Sequence, residues 1–350
     1  MPELAADLQP HPRDVLTRMQ PRLDRVRARF DAELHSDLDC VNRLVERVRR
    51  FRGKMLRPVL VLLATDALRE GAGPADAEGV DEAAEALAAV MEMVHMATLV
   101  HDDVLDGADA RRGGATVNHL AGNEAAVMLG DVLISHSYHL CCGLGDPALA
   151  RGVAAATNAV CEGELLQLSL RGDFSLSERT YLEVIARKTA ALTEACCRLP
   201  ALLVGVDPED PRVAALGGFG RKLGMAFQVV DDLLDLEGDP EVVGKTLGLD
   251  LARGKLTLPV IRWLGGLPPE LREASVARLR AAGEAGEARG GRAAEALRRE
   301  VLASEGPALA RERAAAMAES AAEGLRRHLP GGPARDRLLL LARTLLGRDR

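Results

Sequence analysis

With 52 acidic against 45 basic side chains over 350 residues, the chain carries a net charge of −7 and shows no basic stripe of the size that nucleic-acid binding needs. Hydrophobic residues make up 47% and aromatics only 2%, so a sizeable core is built from Leu, Ala, Val and Met, a composition that favours helix throughout. The N-terminus is polar without a secretory leader, no apolar run is read as reaching the ~18–20 residues of a membrane span, and Cys40, Cys141, Cys142, Cys161, Cys196 and Cys197 fit neither a disulfide framework nor a CxxC metal site; these cysteines are expected to be small buried hydrophobes in a cytoplasmic protein.

Residues 1–12 carry Pro10 and Pro12 and read as a loose arm before one all-α domain spanning 13–350. From Arg13 to Leu38, Leu16, Met19, Leu23, Val26 and Phe30 recur at three and four, the spacing of a helix with one apolar face. A short helix is expected over 41–51 and another over 56–69, where Pro58 sits comfortably in a first turn. Gly53 frees the backbone ahead of Lys54 and Arg57, which lie three apart and point to one side as a possible anion clamp.

A loop over 71–79 leads to a long apolar helix from about Asp81, ended by Gly107. Asp102, Asp103 and Asp106 crowd its C-terminal end, and His95 lies two turns earlier on roughly the same face. Like charges there repel one another and meet the wrong end of the helix dipole. A solvated acidic face is the commoner origin of one such DDxxD motif. The pattern returns, however, as Asp231, Asp232 and Asp235, again closing a long apolar run. Two facing copies would form an oxygen-only site of high negative charge, suited to Mg²⁺ held through few carboxylates, waters and substrate phosphates.

Between the two motifs, 116–123 reads as a connection, 124–140 and 149–170 as helices, and 177–204 as a helix with Ser177 at its start and Lys188–Thr189 in its middle. The second acidic helix is expected from Arg212, followed by a loop over 238–254. That loop contains Gly244-Lys245-Thr246, but the glycine spacing is wrong for a nucleotide-binding loop and no strand precedes it. Helices over 259–264, 269–282, 291–304, 307–329 and 333–346 complete an expected single helical bundle around a central cleft, with no strand pattern anywhere. Two carboxylate triads with a ring of cations (Lys54, Arg57, Arg111, Arg112, Lys188, Lys245, Lys255) fit substrates that carry several phosphates. The Leu, Val, Ala and Met of the helices between them suit an apolar organic part.

In order and spacing the motifs resemble the trans (head-to-tail) polyprenyl diphosphate synthase family from about Gly53 to Pro259. They are Gly53-Lys54-x-x-Arg57-Pro58, His95 with Asp102-Asp103-x-x-Asp106, Arg111-Arg112-Gly113-x-x-Thr116, Gly130-Asp131, and Gly163-Glu164-x-x-Gln167. Lys188-Thr189, Phe227-Gln228-x-x-Asp231-Asp232-x-x-Asp235, Gly244-Lys245 and Asp250-Leu-x-x-Gly-Lys255-x-Thr-Leu-Pro259 continue the series. The resemblance implies a Mg²⁺-dependent prenyltransferase, with three ions per site, whose two aspartate triads hold the metals against an allylic diphosphate. Arg111, Lys188 and Lys245 would grip that diphosphate, with Thr189, Gln228 and Lys255 nearby. Lys54, Arg57, His95 and Arg112 would hold isopentenyl diphosphate. One departure is Arg52 where the family usually has glycine before Gly53-Lys54.

In the family the residues four and five before the first aspartate bound the product tunnel. Here they are Thr98 and Ala97, with Val94 and Val90 lower, and none of these side chains is bulky. At 1.5 Å per residue Val90 lies about 18 Å below Asp102, which points to a long product of about C30–C50. Met91, Met93 and the facing Tyr138 would close the tunnel lower down. The alternatives are a geranylgeranyl (C20) product, or the catalytic subunit of a heteromeric synthase in place of a homodimer. A terpene cyclase would lack the second intact DDxxD and the Lys54/Arg57 clamp, and a non-catalytic subunit would have lost carboxylates or cations.

Overall fold

The computed structural model describes residues 12–50, 53–70, 77–111, 114–238 and 248–346. Among them the architecture is helical: α1 (Pro12–Glu33), α2 (Asp39–Arg50), α3 (Leu56–Arg69), α4 (Ala77–Leu105), α5 (Val117–Ala121), α6 (Asn123–Cys142) and α7 (Pro147–Ser169). Next come α8 (Glu178–Ile185), one turn of π-helix (Ala186–Ala190), α9 (Ala191–Arg198), α10 (Pro200–Val204) and α11 (Pro211–Glu237). The chain closes with α12 (Leu249–Ala252), α13 (Leu258–Gly266), α14 (Pro269–Leu302), α15 (Gly306–His328) and α16 (Pro333–Leu346).

The apolar spacing in α1 does what its period requires: Met19, Leu23, Val26 and Phe30 are all buried. The largest core gathers α1, α3, α4, α6, α7, α9, the first half of α11 and α16. A second core forms around Tyr181, Ile185, Val229, Leu233, Leu258 and Met317. A third forms around Leu236, Leu251, Trp263, Leu279 and Leu297. The long helix α11 runs through all three, so its acidic C-terminal end emerges where they meet. The first and last described helices are both tied to α3 and its end. Arg22 of α1 holds Asp66 of α3 at 2.8 Å, and the Ala334 amide at the start of α16 donates to Glu70 at 2.9 Å.

Several boundaries differ from expectation for local reasons. Helix α1 stops at Glu33, not Leu38, because Ser36 and Asn42 exchange backbone and side-chain hydrogen bonds of 3.0 and 2.7 Å that compete with another helical turn. Helix α4 starts at Ala77, before Asp81. The connection over 116–123 contains α5, capped by Thr116, and the expected absence of strands fails at a two-residue antiparallel ladder, β1 (Ala110–Arg111) with β2 (Gly114–Ala115). The expected helix 177–204 is cut by the π-turn and by Pro200, which cannot donate within a helix. The two helices expected over 269–282 and 291–304 are one, α14, because Leu279, Ala282, Ala294, Leu297 and Val301 stay on one buried stripe through the glycine-rich centre. Burial along that stripe exceeds the ~1 kcal/mol helix penalty of each glycine.

Two other expectations are corrected. Cys141, Cys196 and Cys197 are buried, but Cys40, Cys142 and Cys161 are exposed. Two helical stretches are long and apolar enough to cross a membrane by length and composition: Gly79–Leu105, 78% buried within the protein, and Asn123–Cys142, 33% buried. The first is apolar because it runs through the principal core.

Candidate active site

The repulsive carboxylates at the end of α4 are held by the segment that follows them. Gly107 takes a positive φ of 59° and ends the helix as its position requires. The Ala108 amide bonds back to the Asp103 carbonyl at 2.9 Å. Thr116 Oγ1 donates to the Ala108 carbonyl at 2.6 Å, and the Asn118 amide donates to the same carbonyl at 3.1 Å and to that of Asp103 at 3.3 Å. Arg111 on β1 then folds back on Asp103, with Nε 2.8 Å and Nη2 2.7 Å from Oδ1.

Lys188 projects from the π-turn, an irregularity that re-aims side chains and clusters at functional sites. It pairs with Glu164 of α7 and lies 3.7 Å from Asp102 Oδ2. Gly163 makes this approach possible: a Cβ there would sit 2.4 Å from the Lys188 amide nitrogen and 2.8 Å from its Cα. Gly163→Ala should therefore displace the lysine-bearing turn, destabilise the fold by about 1–3 kcal/mol as overpacking does, and reduce turnover. Denaturant unfolding and initial rates check it; unchanged values for both would refute the packing argument.

On α11, Asp232 is held from two sides. Tyr181 of α8 donates its hydroxyl to Oδ2 at 2.5 Å, and Gln228 donates to Oδ1 at 2.9 Å. Gln228 is oriented in turn by Thr189, whose hydroxyl donates to its Oε1 at 2.8 Å. Asp235 accepts the Asp250 amide of α12 at 3.3 Å. Lys255 stands 3.2 Å from Asp250. Burial lowers the affinity of that lysine for its proton, but Asp250 and Asp232 outweigh the loss and raise it. Asp231 is exposed.

Asp106 of the first triad and Asp232 of the second line one cleft of about 840 Å³, open solvent at its mouth included, whose walls also include Asp250, Lys188, Thr189, Gln228 and Lys255 with apolar Leu170, Leu176, Val184, Ile185 and Leu256. Burial pushes the Asp102 carboxyl up to about 6, Glu164 and Asp106 adding to the shift while Lys188 opposes it. Burial likewise raises Asp232 and Asp235, with Asp250 the next contributor against the pull of Lys255. Native carboxyls that hold protons more tightly than unfolded ones favour folding at lower pH, and that contribution is lost as pH rises from about 4 through about 7. Without divalent cations, the melting temperature should consequently rise when pH falls from 7.5 to 5.5. Adding Mg²⁺ with inorganic diphosphate at pH 7.5 should recover the difference. A thermal melt under the two conditions decides it; a lower melting point at pH 5.5 would contradict it.

An all-oxygen donor set of clustered carboxylates fits a hard divalent cation. Among the described residues no three His, Cys, Asp or Glu side chains converge closely enough to hold one ion alone, so water and phosphate oxygens would have to complete each coordination shell. Lys54 is exposed, while Arg57 and His95 are half-buried, and none of the three lines the cleft. The special backbone in this segment is not at Gly53: Met55 takes φ 54°, its side chain buried in the core while Lys54 stays outside. Left-handed geometry at a non-glycine costs about 1–2 kcal/mol, here offset by burial of the methionine. Arg112 and Lys245 lie outside the described residues. Val90, Val94 and Ala97 are fully buried in the principal core, Thr98 is half-buried, and none of the four lines the cleft.

Sequence reasoning missed the roles of Tyr181 and Asn118 and the place of Arg253 in the cleft wall. A signal for the first was present, since Tyr181 is one of two tyrosines and stands two helical turns before Lys188. Asn118 needed the turn geometry after Gly107, and Arg253 needed the cleft.

The polyprenyl synthetase family pattern matches residues 39–288. The chain is 36% identical over 325 residues to the octaprenyl diphosphate synthase of Escherichia coli K12, covering 93% of this chain and 95% of that protein. It is 42% identical over 213 residues to the geranylgeranyl diphosphate synthase of Mycobacterium tuberculosis H37Rv, covering 60% of this chain and 58% of that one. The crystal structure of a polyprenyl synthase from Caulobacter crescentus CB15, complexed with calcium and isoprenyl diphosphate, superposes with a TM-score of 0.85 at 31% identity, covering 96% of this chain and 98% of that one. Two acidic helix ends on a common cleft, a family pattern matched over residues 39–288 and a helical fold shared over nearly its whole length with the Caulobacter polyprenyl synthase place this chain in the polyprenyl synthetase family.

Proposed function

We propose that the chain condenses isopentenyl diphosphate with an allylic diphosphate and repeats the step to a trans-polyprenyl diphosphate of about C30–C50. The observation that carries the reading is a cleft lined by one aspartate from each triad, Asp106 and Asp232, bounded by Lys188 and Lys255 and walled by aliphatic side chains. Mg²⁺, with three ions per site, would be held by Asp102, Asp103, Asp106, Asp231, Asp232 and Asp235, and when bound it supplies neutralisation of the diphosphate as that group leaves.

The remaining work falls to side chains. Lys188, Arg111 and Lys245 bind the allylic diphosphate, with Lys255, Thr189 and Gln228 beside it. Arg111 and Lys188 pair with Asp103, Glu164 and Asp102, so diphosphate binding exchanges carboxylate partners for phosphate ones. Lys54, Arg57, His95 and Arg112 hold isopentenyl diphosphate. The allylic C1–O bond breaks, the isopentenyl double bond attacks C1, and the proton then lost passes to the departing diphosphate. Leu170, Leu176, Val184, Ile185 and Leu256 keep water from the allylic cation. No covalent nucleophile is required; positioning and electrostatics do the catalysis.

The long-product assignment is supported by the small side chains of Ala97, Thr98, Val94 and Val90 along α4. A C20 product is the second reading, favoured by the closed core around Val90, Val94 and Ala97. The exposed apolar side chains of Leu120, Val127, Met128 and Leu165 on α5–α7 support a homodimer.

The test is to incubate the purified chain with Mg²⁺, isopentenyl diphosphate and farnesyl or geranylgeranyl diphosphate, then size the products. C30–C50 chains are expected. A single C20 product would defeat the length assignment, and turnover only after a second protein is added would assign the chain as one subunit of a heteromer.

A further inference from the structure

Arg253 is a cation of the cleft that lies outside the ring of lysines and arginines named by the motifs. It stands in the turn after α12, lines the cleft, and places Nη1 3.5 Å from Asp106 Oδ2. It thus reaches from the α11–α12 side to the carboxylate triad of α4.

The turn that presents it is pinned on several sides. The Gly248 amide donates to the Asp235 carbonyl at 2.8 Å, and the Asp250 amide donates to the Asp235 carboxylate at 3.3 Å. The Ala252 and Lys255 amides close the turn on Gly248 and Asp250 at 3.0 and 2.9 Å. Gly254 takes φ 67°, and the Cα of Gly283 on α14 lies 3.8 Å from where a Gly254 Cβ would stand. The backbone on either side of Gly254 is therefore held in place, and both Arg253 and Lys255 line the cleft.

By contrast, the ion pair itself is loose. At 3.5 Å it is longer than an ordinary charge-assisted hydrogen bond, and its side chains remain 25% and 36% exposed. Such a pair contributes little and is readily exchanged for a better partner. A diphosphate offers several charged oxygens, which a guanidinium binds in a two-pronged geometry that a lysine ammonium cannot reproduce.

We propose that Arg253 is a further diphosphate-binding residue, which exchanges its pairing with Asp106 for the phosphate oxygens of the allylic substrate when that substrate binds. The assignment to the allylic substrate rests on the function proposed above; the affinity for diphosphate does not.

The experiment compares the full-length wild type with Arg253→Gln and Arg253→Lys. One measurement is the inorganic diphosphate concentration, at fixed Mg²⁺, that half-maximally raises the melting temperature. The other is the KM for farnesyl diphosphate and for isopentenyl diphosphate. Arg253→Gln is expected to weaken the diphosphate midpoint about tenfold, as loss of a charged hydrogen bond does. It should raise the farnesyl diphosphate KM to a similar extent and leave the isopentenyl diphosphate KM within about twofold, with partial recovery in Arg253→Lys. A midpoint and both KM values unchanged within about twofold would overturn the proposal. A lower melting temperature without ligand, accompanied by equal loss toward both substrates, would also overturn it by reducing Arg253 to a structural tie. Should the wild type bind diphosphate and make no prenyl product, the function reading fails, while the diphosphate midpoint of Arg253→Gln still decides the role of the arginine.

Discussion

Replacing Asp102 or Asp232 with Asn should lower turnover by roughly three orders of magnitude without unfolding the protein. Removing one preorganised electrostatic group from an active site costs about 10²–10³ in rate, and these carboxylates are asked both to hold cations and to orient the leaving group. The fold should tolerate the change because burial already disfavours the charged form of each side chain. An amide can still accept the Tyr181 hydroxyl at position 232, and at position 102 it leaves Lys188 its pair with Glu164. The cation-free melting temperature of each variant should be equal to or above that of the wild type. Initial rates at saturating Mg²⁺ and thermal melts provide the check; activity within tenfold of wild type would exclude the two triads as the catalytic centre.

Ala97→Phe should shorten the product from C30–C50 to C15–C20. Ala97 lies five residues before Asp102 on α4, about 7.5 Å along the helix axis. A phenyl ring there would therefore meet the growing chain within the first few isoprene units. The position is fully buried, so the ring must displace neighbours at a cost of about 1–3 kcal/mol, and a melt should accompany the product analysis. Products sized by chromatography against wild type decide it. Unchanged length in a folded variant would show that the chain does not pass along this face of α4.

Much of the site was legible because the signals are local. The spacing of Asp102, Asp103 and Asp106, repeated at Asp231, Asp232 and Asp235, follows from helix geometry, and each cluster does close a long helix. Gly107 and Ser177 act where a helix end and a helix start need them. Local signals failed where distant contacts decide. The glycine-rich centre of α14 reads as a break but is carried through by buried residues on either side. The stretch holding Lys188 reads as regular helix but contains a π-turn that packs against Gly163.

Period, motif spacing and composition alone determined an all-helical protein with two acidic helix ends and a set of cations suited to phosphates, since each depends only on residues within a few turns of one another. Only the tertiary structure decided that Asp106 and Asp232 share one cleft, that Tyr181 and Gln228 hold Asp232 between them, and that Arg253 reaches across to Asp106. Those relations join residues separated in the chain by as many as 147 positions. They exist because burying three apolar cores brings the ends of α4 and α11 together, which no local pattern encodes.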